Sequence, residues 1–191
     1  EKVKLVTKLP MFLVRKTEDF DRFLNAQLER LDTDFLDIYL FHSMNAEAFE
    51  KLKRLDLIKK MEEAKKKGRI GHIGFSFHDD LDHFKQIIDG YDKWDLCQIQ
   101  YNYMDIEFQA GKAGLHFAAE KGLAVVVMEP LRGGSLAVDL PASRPIWAQA
   151  ETKRTPADWS FQWIWNQPQV SVVLSGMSTL EQVEQNLCSA G

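Results

Sequence analysis

Cysteine is scarce in this chain: Cys97 and Cys188 are the two among 191 residues, far apart and without CxxC spacing. No metal–thiolate site can be built from them, and a reducing compartment, read here as the cytoplasm, suits them best. Long apolar runs are missing as well. None approaches the roughly 20 residues a membrane-spanning helix needs, so no membrane partner is expected. There is no basic surplus: Lys and Arg number 24 against 28 Asp and Glu, a net charge of −4. That argues against a nucleic-acid-binding face. Hairpin signals are lacking, and no strand-like run opens into the GxGxxG turn of nucleotide-binding open sheets.

What is present describes a globular protein. With 45% hydrophobic and 27% charged residues, the chain can bury a sizeable core as one domain over residues 1–191. The organising stretch is FLDIYLFH, residues 35–42, where a nearly unbroken apolar, aromatic and β-branched run ends in His42. It is too short for a buried helix and suits a strand covered on both faces. Further strands are expected over 3–9, 70–76, 96–102, 123–128 and 170–174. Helices are expected from Thr17, which offers an N-cap hydroxyl, and as one long segment over 52–67 closed by three lysines and Gly68. Others should cover 79–88, 112–121, a segment opened by Thr155-Pro156, and 179–187. The stretch 129–154 reads as mostly irregular, and the Trp159, Phe161, Trp163, Trp165 stripe as core packing.

Six strand–helix units without hairpins call for parallel strands and right-handed crossovers. The fold class is therefore α/β, either an open doubly wound sheet or a (β/α)₈ barrel, and the missing GxGxxG favours the barrel. Six units in place of eight, a start inside a strand and a stop after a helix read as a piece of a longer protein.

In such barrels chemistry sits at the C-terminal ends of the strands. Reading those ends gives Lys8, His42, Ser76, Asn102 with Gln98, Glu129 and Gly176. A Lys beside a proton donor lowers that donor's pKa, and a neutral His can hydrogen-bond a carbonyl oxygen. Taken alone, a strand-end Lys is more often a surface residue and a lone His a structural one, so the residues leave both readings open. A metal-dependent hydrolase using His42, His72 and His78 is a rival, although His72 lies inside a strand. His83 and His116 fall on helices and read as solvent-facing.

Four ordered motifs carry a resemblance: VKLVTKL (3–9), RLDTDFLDIYLFH (30–42), GRIGHIGFS (68–76) and SGMSTLEQVEQN (175–186). Together they resemble the aldo-keto reductase superfamily over nearly the whole chain. The resemblance implies a TIM (β/α)₈ barrel, here about six units, strands three to eight. It implies reduction of small carbonyl substrates by NADPH through an Asp, Tyr, Lys, His tetrad. Lys8 and His42 match the Lys and His. The Asp and Tyr belong before Lys8; Tyr39, Tyr91, Tyr101 and Tyr103 follow it, so the chain alone should not turn over substrate. Ser76 and Gln98 match the residues that hold the nicotinamide carboxamide, and Met128 stands where a ring-stacking Tyr is common. Leu131, Arg132, Gly133 and Gly134 match the pyrophosphate loop. Gly176, Met177, Gln182 and Asn186 fall in the adenosine-phosphate segment, where Gly176 and Gln182 replace two common cations. NADP is the implied cofactor, with NAD as the alternative. One subgroup that the chain is most similar to often carries a C-terminal ferredoxin-like domain with 4Fe-4S clusters, expected only beyond these residues. Two open sheet edges imply self-association. A non-catalytic, cofactor-binding barrel remains the second functional reading.

Overall fold

The computed structural model describes residues 3–191. Six strands form where the β-branched and apolar runs lie: β1 (Val6–Leu9), β2 (Leu36–Met44), β3 (Ile70–Phe77), β4 (Leu96–Gln100), β5 (Ala124–Met128) and β6 (Val170–Val173). All neighbouring pairs are parallel and the sheet order is β1-β2-β3-β4-β5-β6. Eight helices connect or follow them: α1 (Asp19–Arg30), α2 (Ala46–Arg54), α3 (Leu57–Lys66), α4 (Leu81–Asp89), α5 (Gly111–Glu120), α6 (Arg144–Ala148), α7 (Pro156–Trp165) and α8 (Leu180–Ala190). Sequential parallel strands joined through helices are the barrel pattern, here with β1 and β6 left as edges.

Strand alternation separates two faces. Leu9, Phe41, Phe75, Cys97 and Val125 are fully buried in one core with the helices, where Phe75 meets Trp94 edge-on at 5.0 Å. The opposite face carries a row in register, Lys8, Leu40, Gly74, Leu96 and Ala124. Two residues further along come His42 and the register pair Ser76 and Gln98. The sheet thus delivers its polar side chains to one face, near one end.

Helix termini follow the local chemistry. Asn45, Asp80, Thr155 and Thr179 cap α2, α4, α7 and α8 by accepting the amides of Ala48, His83, Asp158 and Gln182. Gly68 ends α3 at φ +69°, the left-handed exit that glycine adopts without steric cost. Among the described residues no helix is long and apolar enough to cross a membrane.

Three expectations need correction. The continuous helix over 52–67 is two helices, broken at Asp56 with φ 53° and ψ 37°. Leu52 and Leu57 are both buried, yet on one helix they would point about 140° apart at about 100° per residue; the left-handed turn resets the phase. Thr17 does not cap α1. Its hydroxyl donates to the Leu55 carbonyl at 2.9 Å, and the N-cap residue is Glu18, without a side-chain bond. The tryptophan stripe is core packing only in part. Phe161 and Ile164 are buried, but Trp165 is 41% exposed. Trp159 stacks on Trp147 of α6 at 5.5 Å, beside an open groove of about 690 Å³.

Asp19 organises the start of α1 in place of Thr17. Its Oδ2 accepts the amides of Arg15 at 2.7 Å and Lys16 at 3.1 Å, while Oδ1 accepts from Arg22 Nη2 at 2.8 Å. The Arg15 amide first, then Arg22 and the Lys16 amide, hold the carboxyl at about 2, below the ordinary 3.8. A depressed acid stabilises the fold above its unfolded pKa and loses that contribution as pH falls through the folded one. Urea titrations should therefore show Asp19-dependent stability vanishing between pH 3.8 and about 2. Asp19→Asn should remove that acid dependence and leave the chain less stable at pH 7.

Candidate active site

Strand β2 does not stop at His42, as expected from the sequence, but runs two residues further to Met44. The pairing to β3 shifts between Phe41 and Met44, and Ser43 takes φ +54°. This bulge turns the Ser43 amide toward β3, where it donates to Ser76 Oγ at 2.9 Å. A bulge at a strand end re-aims neighbouring side chains. His42 sits at its start, half-buried, with the ring of Phe12 edge-on at 6.3 Å.

Lys8, His42 and His78 gather here. Burial lowers the Lys8 ammonium from its ordinary 10.5, and among the described residues Lys8 makes no ion pair. Burial first, then the charges of Lys8 and His78, lower the His42 imidazole. His78 is lowered by partial desolvation and by Lys8, against the raising influence of the Gln109 side chain and of the Glu129 carboxylate. At neutral pH His42 is therefore the uncharged ring, able to donate one hydrogen bond to a carbonyl oxygen. The four tyrosines make their contacts with other residues. Tyr39 meets Phe20 of α1 at 6.0 Å, and Tyr101 and Tyr103 lie 5.2 and 6.3 Å from Trp163 of α7. The Tyr91 hydroxyl donates to Glu62 at 2.9 Å.

Ser76 and Gln98 are buried on adjacent strands, and the Gln98 amide nitrogen contacts Met128 Sδ at 3.1 Å. Met128 in turn lines a cleft of about 860 Å³ between the loop after β5 and the start of α8. Leu131, Gly133, Gly134, Gly176, Gln182 and Asn186 line the same cleft. Lys8, His42, Ser76 and Gln98 lie outside its walls, with Gln98 and Met128 forming the junction. Arg132 and Met177 are not wall residues; the Arg132 guanidinium is 3.2 Å from Asp105, and Met177 is 45% exposed. Gln182 spends its side-chain oxygen on the amides of Ser178 at 2.7 Å and Thr179 at 3.3 Å. Asn186 donates to Ser175 Oγ at 2.8 Å. The walls carry the acids Glu129, Asp139 and Glu181 and no Lys or Arg. The shape fits an elongated ligand with a planar end at Met128, and the charge disfavours extra phosphate at the α8 end.

The histidine trio of the rival reading is not brought together. His72 is exposed and pairs with Asp95 at 3.3 Å. A different trio, Asp79, Asp80 and His83, does cluster, but its carboxylates already accept the amides of Ala46, Asp80 and His83. His83 and His116 are only partly exposed; His83 lies against Asp79 and Asp80 at 3.2 and 3.0 Å, and His116 Nδ1 is 3.3 Å from the Gln169 side-chain nitrogen.

Asn102 is a residue whose role sequence reasoning missed. Fully buried, it donates to Glu129 O at 3.1 Å and Asp105 Oδ2 at 3.2 Å, and accepts the Met104 and Asp105 amides. It ties the loop after β4 to the loop after β5. The detectable signal was a polar residue two positions past the end of a buried strand.

Comparison with known proteins accords with this geometry. The model of the aldo/keto reductase family matches residues 1–190. An NADH-specific methylglyoxal reductase of Escherichia coli (strain K12) is 25% identical over 190 residues, covering 86% of this chain and 57% of that protein. The holo form of an aldo-keto reductase from Bacillus halodurans superposes with a TM-score of 0.80 at 22% identity, covering 98% of this chain and 66% of that one. A thermostable aldo-keto reductase in complex with an inhibitor gives 0.76 at 24% identity, with 97% and 65% covered. The chain thus spans less than two thirds of the length of these relatives. With a family match over nearly all of its residues, the chain belongs to the aldo/keto reductase family.

Proposed function

We propose that the chain is a partial aldo-keto reductase barrel, one domain over residues 1–191, that binds a nicotinamide dinucleotide and presents it to a small carbonyl substrate. The observation that carries this reading is the continuity from Lys8 and His42, through Ser76, Gln98 and Met128, to the cleft at Gly133 and Gly176. His42 would donate to the substrate carbonyl, and Lys8 would lower the pKa of a proton donor that these residues do not include. Ser76 and Gln98 would hold the carboxamide and Met128 cover the ring. Leu131 and Gly133 would face the diphosphate, and Gly176, Gln182 and Asn186 the adenosine end, with Arg132 and Met177 outside the cleft walls. The bound cofactor supplies hydride; the residues present bind and orient. A non-catalytic, cofactor-binding role is the second reading, supported by the contacts of the four tyrosine side chains with Phe20, Trp163 and Glu62.

We favour NADH. Gln182 is committed to the α8 cap and Glu181 lines the cleft, so the site offers a 2′-phosphate no cation and one nearby carboxylate. The NADH-specific relative supports the same choice. Fluorescence titration should give tighter binding of NADH than of NADPH by about tenfold, the worth of one charge-assisted contact. Gln182→Arg should narrow or reverse that ratio. Failure to bind either dinucleotide would overturn the reading. Both cysteines are free, in keeping with a cytoplasmic setting. Self-association through the β1 and β6 edges follows from their unpaired backbones, and sedimentation would show it as concentration-dependent mass.

A further inference from the structure

Two adjacent anion-binding groups in the loop after β5 are each occupied by a carboxylate of the chain itself. The amides of Arg132, Gly134, Ser135 and Leu136 all donate to main-chain carbonyls at 2.9–3.2 Å. The Gly133 amide alone donates to a side chain, Glu129 Oε2, at 2.6 Å. Beside it, the Arg132 guanidinium faces Asp105 Oδ2 at 3.2 Å. Glu129, Arg132, Gly133 and Gly134 all hold positive φ, which folds the loop back so that residue 129 reaches residue 133. Tight turns can present backbone N–H groups to an anion in this way.

The two carboxylates are not equivalent. Asp105 is 14% exposed and is fixed a second time by the Asn102 amide. Glu129 is exposed and, among the described residues, its carboxylate has this one hydrogen bond. Glu129 and Gly133 both line the cleft. A diphosphate reaching the Gly133 amide would meet the Glu129 charge at contact distance, so the two cannot share the site.

From this juxtaposition we infer that the loop is a self-occupied anion site: the Glu129 carboxylate holds the Gly133 amide in the free chain and must leave it before a diphosphate can bind. Glu129 then sets the affinity for the ligand without contacting it in the complex. This deepens the dinucleotide reading and rests on it for the identity of the natural ligand. No covalent bond changes.

The test is calorimetric titration of inorganic pyrophosphate, and fluorescence titration of NADH, on the unmodified chain, Glu129→Gln and Glu129→Ala. Gln keeps an acceptor for Gly133 and guards against collapse of the loop; circular dichroism checks the fold of each. Both variants should bind pyrophosphate about tenfold more tightly than the unmodified chain, the worth of one charge-assisted hydrogen bond no longer competing. Unchanged or weaker pyrophosphate binding in both folded variants overturns the inference. If pyrophosphate tightens while none of the three binds NADH, the dinucleotide reading falls and the self-occupied site stands. If all three bind NADH and pyrophosphate alike, the reverse holds.

Discussion

Gly74→Ala is expected to destabilise the chain by about 3 kcal/mol or more, the upper end of what overpacking costs. Gly74 lies at the centre of the row that runs from Lys8 to Ala124, between Leu40 and Leu96. A Cβ there would stand 2.5 Å from the Leu96 carbonyl oxygen, 2.8 Å from Leu96 Cγ and 2.9 Å from Leu40 Cδ2. The side-chain contacts could relax by rotamer change only into space already filled, since Leu40 is 1% and Leu96 4% exposed. The carbonyl contact cannot relax without parting β3 from β4. Backbone conformation is not the cause, because Gly74 is not among the positive-φ glycines, and alanine would otherwise lower the unfolded-state entropy. Urea unfolding of the two proteins measures the difference. A loss below 0.5 kcal/mol, the size of an ordinary surface change, would mean that the strands do not approach this closely.

The second large effect is a rate. The purified 191-residue chain is expected to bind NADH and yet show no steady oxidation at 340 nm with methylglyoxal or simple aldehydes. Positioned acid catalysis contributes about 10²–10⁴-fold, and the tyrosine side chains present are packed or bonded elsewhere. Tyr39 and Tyr101 are buried against α1 and α7, and Tyr91 is engaged with Glu62. His42 is a poor substitute, since burial, Lys8 and His78 all disfavour its protonated form. Supplying a proton-donating phenol in trans should not rescue the rate, because an unheld donor gains nothing from orientation. Steady turnover by the chain alone would falsify this account of its chemistry.

Much of the architecture was legible because it rests on local rules. The run ending at His42 suited a buried strand, and Gly68 marked a helix exit that the structure realises at φ +69°. The elements that escaped depend on backbone states that no residue type announces. Asp56, Ser43 and Glu129 all adopt positive φ without being glycine, and they redirect, in turn, a helix axis, a strand register and a loop. Candidate residues were legible as types, Lys8 and His42 at strand ends and Gly133 and Gly134 in a turn. Their engagements were not, because the partners are distant or set by those turns. Gln182 sits where a cation is common, yet serves as a cap, and Arg132 is held by Asp105.

The open sheet places the two ends of the candidate site on its two least supported strands. Lys8 belongs to β1 and Gly176 follows β6, and each of these strands has one neighbour where β2 to β5 have two. Local opening free energies are lowest where backbone pairing and packing are one-sided. The ends proposed for the chemistry and for the adenosine are thus expected to loosen before the strands between them. A dinucleotide bound as proposed, reaching from the cleft past Met128 toward Lys8, would touch both margins of the fold and add stability by mass action. Occupancy of the proposed site and integrity of the sheet edges would then be linked equilibria.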